Sequence, residues 1–295
     1  MQNGLVEKPS APLVMVVVAL AYLLAVTQRS SLGVAALIAT ERFHTNAEQL
    51  SALAVGQIVV YAAMQIPVGI LLDRYGPRAL LTFGTIVMSV GQLAVAFSVE
   101  LLSAVIGRMF VGLGDAFIFI SMIRLINGWH QGRRASQLQQ WLGNLGQLGQ
   151  VLSAVPFAFL LHQNGWTSAF ITMSAIGLFL SGAIFLVAQD DRDPSDDVHK
   201  KISIRSAVRQ LKLEVKRSEV KLSFWIHFST QSSGTMLLLL WGVPFFAGAQ
   251  KLDLTLVSAL LSSFVFFGVT FGLWYAHVCA HQPQLRSFVV TVMTV

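Results

Sequence analysis

The sequence predicts an all-α membrane protein, a bundle of long helices standing side by side in a bilayer. Three observations carry this expectation. Of the 295 residues, 55% are hydrophobic and only 12% are charged, whereas soluble domains carry about a quarter charged residues. The apolar residues come in long unbroken runs, and roughly 20 apolar residues rising about 1.5 Å each cross the hydrocarbon core. The basic residues collect in short segments between alternate runs. The net charge of +6 therefore reads as a topology signal, and no nucleic-acid partner is expected.

Eight full spans are expected, at roughly 12–39, 47–72, 79–99, 101–126, 136–161, 166–188, 222–249 and 254–278. Only Lys8, beside Glu7, precedes the first run, and no clear small-residue cleavage site follows it. That run is read as a retained helix, not a signal peptide. With the N-terminus inside, the short inner segments hold Lys8, Arg74, Arg78, Arg133, Arg134 and Arg286, while the outer loops hold only Arg42 and Lys251. The asymmetry follows the positive-inside rule and places the chain in a plasma membrane of bacterial inner-membrane type. A ninth apolar run starts at Ser287 and stops at Val295, too short to cross, so the chain is expected to end inside an element.

The polar segment 189–221 divides the spans into an N-terminal unit, 1–188, and a C-terminal unit, 222–295, with two full helices and the start of a third. It opens acidic, with Asp190, Asp191, Asp193, Asp196 and Asp197, then turns basic. Ile204, Val208, Leu211 and Val215 recur at helical spacing, with Arg205, Arg209, Lys212 and Lys216 one residue on. This pattern fits a basic amphipathic helix on the inner leaflet, or equally a solvated linker helix.

The sharpest motif is Gly69-Ile-Leu-Leu-Asp73-Arg74-Tyr75-Gly76-Pro77-Arg78, between the second and third spans. Gly76 permits a positive φ in a tight turn. Asp73, at a helix end, can accept from N–H groups at a neighbouring helix N-terminus. Arg74 and Arg78 hold the turn inside, and Gly69 allows close helix approach. A second motif, Arg108-Met-Phe-Val-Gly112-Leu-Gly114-Asp115, lies within the fourth span. Seven residues apart, Arg108 and Asp115 share a helix face, with Gly112 between them.

Charges inside a bilayer are costly and face a cavity or a partner. Arg29, Arg108 and Asp115 lie within spans; Arg124, near an inner end, can snorkel. Two readings stand: Arg29 binds an anion and Asp115 carries a proton, or a fixed ion-pair network braces helices one and four. Polar stripes point to a wet central cavity: Gln57, Tyr61 and Gln65 on the second span, Gln140, Asn144 and Gln147 on the fifth, and His227, Thr230, Gln231 and Ser233 on the seventh. Ordinary interhelical hydrogen bonding is the alternative for each. Gly143, Gly146 and Gly149 thin one side of the fifth span, and Pro156 and Pro244 are expected to kink theirs.

The first motif resembles the major facilitator superfamily signature between spans two and three, with Pro77 in place of one basic residue. The second is similar to that family's Arg-x-x-x-Gly-x-Gly pattern. The resemblance implies a helical bundle of that type, with a six-helix N-terminal half and an incomplete C-terminal half, cut after about eight helices. It implies a secondary transporter working by alternating access. Gly69, Asp73, Arg74, Gly76 and Arg78 would form a conformational latch, with Arg108 and Asp115 in proton coupling. Tyr61-Ala-Ala-Met-Gln65 and Arg29-Ser-Ser-Leu-Gly-Val-Ala look similar to the anion:cation symporter branch. That likeness implies symport of a small organic anion with protons, the anion held by Arg29, Tyr61, Gln65, Asn144, Gln147 and Gln231. The branch often has Asp before the arginine; here it is Gln28, which removes a second proton site. Drug antiporters carry Gly-Pro where this chain has Gly149-Gln150, yet efflux of amphipathic compounds, or a remnant that does not transport, remain as alternatives. No cofactor is expected, no enzyme chemistry is visible, and a monomer is expected. His277-Val-Cys279-Ala-His281 has metal-ligand spacing but no carboxylate beside it, so no metal site is expected.

Overall fold

A computed structural model describes residues 10–190, 209 and 212–281 of the chain. All regular structure among them is helical. In order come α1 (Ala11–Arg42), α2 (Ala47–Tyr75), α3 (Pro77–Phe97), α4 (Leu101–Trp129), α5 (Gly132–Leu152) and α6 (Ala158–Val187), then α7 (Ser218–Thr235) and α8 (Leu254–His281). Six stretches are long and apolar enough to cross a membrane. One of these, 137–187, is broken at Gly165, whose φ of 77° no helix accommodates, so it makes two spans. The stretch expected at 222–249 is α7 followed by two π-helical turns, Met236–Trp241 and Pro244–Ala249.

Local chemistry sets these boundaries. Pro12 stands in the first turn of α1, where its missing N–H costs nothing. Asn46 caps α2: its side chain accepts from Gln49 N at 2.8 Å, and the Gln49 side chain reaches back to Asn46 N. Gly76, at a φ of 81°, turns the chain from α2 into α3. Both kinks expected at proline appear as widened turns. Pro156 sits inside the π-helical turn Ser153–Phe157 after α5, and Pro244 opens the last one.

Helices α1 to α6 form the main body. The cores lie between α1, α4, α5 and α6, and between α1, α2, α3 and α6. α3 and α4 meet along glycines: an added Cβ at Gly91 would lie 2.6 Å from Val111 N, and one at Gly114 would strike the Gly84 carbonyl. The π-helical stretch after α7 and helix α8 meet α1 through a small cluster in which Val243, Val257 and Leu261 pack with Leu37. Outer faces expose large apolar side chains such as Phe179 at 83% and Leu186 at 76%, as lipid-facing helices do. Of the amphipathic pattern over 204–216, positions 204–208, 210 and 211 lie outside the described residues, and its described end is helical over 212–214 and turns at Val215; the run from Ser287 also lies outside them.

Candidate functional site

The site is built where α4 is fixed between two neighbours. Gly112 faces α2, where a Cβ would strike the Gln57 carbonyl, and Gly114 faces α3. With both sides seated on backbone, Asp115 is left pointing at α1, buried at 1% exposure. There Arg29 pairs with it: Nη2 donates to Oδ1 at 2.9 Å, and Nε lies in ion-pair contact 2.7 Å from Oδ2, without hydrogen-bond geometry. Charge-assisted pairing of this kind is among the stronger side-chain interactions. The Asp115 side chain is 2% exposed, but that of Arg29 is 27% exposed. Tyr61 of α2 completes this side, its ring centroid 5.4 Å from Arg29 Cζ. Tyr22 stands two helical turns before Arg29 on α1.

Arg108 is used differently. It is fully buried, and its two terminal amino groups donate to neutral oxygens on three neighbouring helices, while Nε has no partner among the described residues. Nη1 donates to Gln28 O at 3.2 Å, Ser31 Oγ at 3.3 Å and Gln92 Oε1 at 3.4 Å. Nη2 donates to Arg29 O at 2.9 Å and to Gln57 Oε1. Gln92 Nε2 in turn donates to Ser31 Oγ at 3.1 Å, and Gln28 Nε2 to Met173 O of α6 at 3.0 Å. Arg108, expected beside Asp115 in proton coupling, makes its described hydrogen bonds to these neutral oxygens. Arg108 holds the α1 backbone at Gln28 and Arg29. Gln28, read from the sequence as a missing proton site, is a buried strut of this network.

The polar stripes divide in the same way. Gln57 is spent on Arg108, while Tyr61 reaches Arg29. Gln65 donates to Tyr61 O of its own helix at 3.3 Å. Gln147 accepts from Gln150 one turn on. Asn144 is half-buried, with Nδ2 enclosed and without an acceptor among the described residues. The side chains of Gln231, His277, Cys279 and His281 are outside the described residues. Gly146 and Gly149 do thin α5, seating the Tyr22 ring and the α1 backbone at Leu23.

At the α2–α3 turn, Gly76 has the expected positive φ, but the carboxylate partner differs from expectation. The N-terminus of α3 is met by Asp190, at the end of α6, whose Oδ1 accepts from Arg78 N at 2.8 Å. A Cβ on Gly76 would lie 2.6 Å from Asp190 Oδ2, so the same carboxylate needs that glycine. The Arg78 side chain donates to Phe185 O and lies over the Phe185 ring at 4.7 Å. Trp129 Nε1 donates to Gln189 O at 3.1 Å, tying α4 to the same corner. Asp73, expected to meet a helix N-terminus, instead lies 3.8 Å from Arg124 of α4, both about two-fifths exposed. Arg74 stands over the neighbouring Tyr75 ring at 5.4 Å. Gly69, expected to allow close packing, has no described atom within 4 Å of an added Cβ. The sequence order hid Asp190, which lies 112 residues from its partner. Tyr22 was legible only through its seven-residue spacing from Arg29.

Among the described residues no cluster of three metal-ligating side chains occurs. The model of the Major Facilitator Superfamily matches residues 18–295. A probable L-galactonate transporter of Escherichia coli is 29% identical over 153 residues, which are 52% of this chain and 34% of that protein. A probable sulfoacetate transporter of Cupriavidus necator is 26% identical over 187 residues, 63% of this chain and 43% of that one. The chain thus matches less than half the length of either relative. A bacterial homologue of the human lysosomal transporter Spinster, solved inward-facing and unoccupied, superposes with a TM-score of 0.66. It is 17% identical and aligns with 97% of this chain and 64% of its own.

Proposed function

Because the chain belongs to the major facilitator superfamily, we propose that it serves proton-coupled symport of a small organic anion by alternating access. The observation that carries this reading is the Arg29–Asp115 pair, buried on the acid's side and open on the guanidinium's. A carboxylate or sulfonate is a natural competitor for that guanidinium, because it presents the same two oxygens. When it arrives, two anions share one cation in a low-dielectric setting, and a proton on Asp115 restores neutrality. Substrate and proton therefore occupy the site together. Tyr61 flanks the bound anion, and Arg108 acts as a positioning residue by fixing the carbonyl of Arg29. The relatives' names, which pair this family with galactonate and sulfoacetate, support an anionic substrate.

The same reading takes residues 1–188 as one half, 189–221 as a cytoplasmic linker and 222–295 as part of the other half, in a monomer with its N-terminus inside a plasma membrane. Gly69, Asp73, Arg74, Gly76 and Arg78 form the inner latch that engages and releases in the cycle.

The test is uptake of labelled L-galactonate and sulfoacetate into proteoliposomes with an acid-outside pH step. Accumulation above the equilibrium level that collapses with a protonophore is the expected result. Extrusion driven by inward protons would instead indicate efflux of the antiporter kind. Absence of counterflow for either acid would leave a chain that does not transport them.

A further inference from the structure

The Asp115 side chain is 2% exposed, and its two flanks differ. On one flank stands Arg29, 27% exposed, with the Tyr61 ring centroid 5.4 Å from its Cζ. A proton arriving there as hydronium meets a fixed cation before it meets the acid, and like charges repel. Arg108, two turns the other way along α4, is committed to neutral oxygens. The remaining flank is made of two rings. Phe119 follows Asp115 by one turn of α4, and Tyr22 precedes Arg29 by two turns of α1, so each ring shares a helix face with one partner of the ion pair. The ring centroids are 5.4 Å apart.

Phe119 is also a wall of a partly open recess of about 390 Å³, whose other lining residues are Ile123, Gln139, Gln140, Gly143 and Asn144. Three amides and an opening make such a space one that water fills. One ring layer thus stands between a hydrated recess and the buried acid. Protons move along hydrogen-bonding groups, and a phenylalanine ring offers none. A charge entering that layer would lose its hydration without return, so the layer stops proton leakage. The layer is also held in place. Tyr22 belongs to the buried core, with Phe119 packed against it, and its ring fills the gap at Gly146 of α5, where an added Cβ would strike it.

We propose that the Tyr22–Phe119 ring pair is the gate through which the proton enters and leaves Asp115 by way of the recess. The inference rests on Asp115 being the proton site. With the rings apart, water from the recess reaches the acid. The O–H bond of the protonated carboxyl breaks, the proton leaves on that water as hydronium, and the carboxylate left behind keeps Arg29 as its partner. With the rings together the acid holds its charge state. Because α5 carries both the notch for Tyr22 and most of the recess lining, a shift of α5 moves the gate and the water supply together.

Time-resolved infrared spectroscopy after a pH jump tests the gate on the purified full chain in detergent, with no substrate needed. The protonated carboxyl band of Asp115 is the one missing in Asp115→Asn. In Phe119→Ala that band should respond at least about tenfold faster than in the unaltered chain, with its midpoint pH unchanged. Phe119→Val is a smaller cut should the fold not spare the whole ring, and it should respond about threefold faster. Tyr22→Phe keeps the ring and should leave the rate as it is. Proteoliposomes loaded with a pH-sensitive dye should show a proton leak in Phe119→Ala that disappears when Asp115→Asn is added. An Asp115 band with the same rate in both Phe119 variants overturns the gate and leaves the proton site standing. A rate that rises only together with a shifted midpoint also overturns it, since the ion pair itself has then been disturbed. Slower response in Tyr22→Phe replaces the apolar gate with a hydroxyl relay, and a leak that survives Asp115→Asn places the proton path elsewhere. Absence of any titrating Asp115 band in the unaltered chain removes the gate and the proton site together.

Discussion

Arg29 and Arg108 are two guanidinium groups in the same apolar body, and they meet the expense of leaving water by opposite means. Arg108 has no side-chain exposure and is surrounded by neutral oxygens from α1, α2 and α3. Arg29 keeps 27% of its side chain exposed and leans on one carboxylate. Many neutral acceptors from several helices cannot all be exchanged at once, so the first arrangement is permanent. A single carboxylate can be replaced by another, and the proposed anion exchange at Arg29 depends on that. The difference teaches that charge in a membrane body is not by itself a mark of a binding site. The type and number of its partners decide.

The contrast is broken most severely from the Arg108 side. Arg108→Leu leaves the oxygens of Gln28, Ser31, Gln57 and Gln92 without their shared donor, a loss on the order of 3 kcal/mol. The expected outcome is a large fall in folded yield and melting temperature in detergent. Arg108→Lys should recover little, because an ammonium has three donors and no planar reach to acceptors on three helices. A normally folded Arg108→Leu protein that lost only pH-driven uptake would reverse the assignment and return Arg108 to proton chemistry.

Asp115→Asn comes next, and it sharpens the comparison by acting on the exchangeable pair alone. Asparagine keeps the shape and hydrogen bonding but cannot carry a proton. Accumulation driven by a pH step should vanish, while exchange of one labelled anion for another continues in the same vesicles. Loss of both at normal expression would make Asp115 a structural partner of Arg29. In that case the charge-swapped pair, Arg29→Asp with Asp115→Arg, should regain the lost expression.

Much of this was legible before the fold was known, and the boundary of legibility is physical. Helix positions followed from runs of apolar residues, whose length the bilayer fixes, and the break at Gly165 fell between two predicted spans. Arg29, Asp115 and Tyr61 could be chosen because charge and polarity inside apolar runs stand out. What could not be read was which of two buried arginines holds the carboxylate. Arg108 shares the Asp115 face by spacing, yet Arg29 makes the pair, because Gly112 and Gly114 set the approach of α4 to its neighbours. Partners far apart in sequence leave no local signal. Asp190 at the α3 N-terminus and Tyr22 against Gly146 are of this kind.

A smaller effect is expected from Arg29→Lys. Charge is conserved, but the two-point grip becomes a point contact, so anion affinity should fall by about 10- to 100-fold, with expression near normal. Titration of the anion in detergent measures it directly. Equal affinity in the lysine variant would mean that the field of the cation matters and its fork does not, and the distinction from Arg108 would then rest on exposure alone.

The smallest predicted effect repeats the contrast with carboxylates at the inner end. Asp190 is committed: it accepts from Arg78 N and occupies the space that Gly76 leaves. Asp73 is about two-fifths exposed and only 3.8 Å from the equally open Arg124, a pairing that solvent largely screens. Removing a helix-capping acceptor costs about 1 kcal/mol, so Asp190→Ala should lower the melting temperature by a few degrees (roughly 2–4 °C for a chain of this size). Asp73→Asn should leave stability within about 0.5 kcal/mol. If Asp73 belongs to a latch, its cost appears elsewhere, as slower transport with membrane insertion and melting unchanged. Asp190→Ala should do the reverse, weakening the fold while transport per folded molecule stays near normal. Should both variants lose stability equally, the half-exposed Asp73 would be a structural acid like Asp190, and the latch would lose its carboxylate.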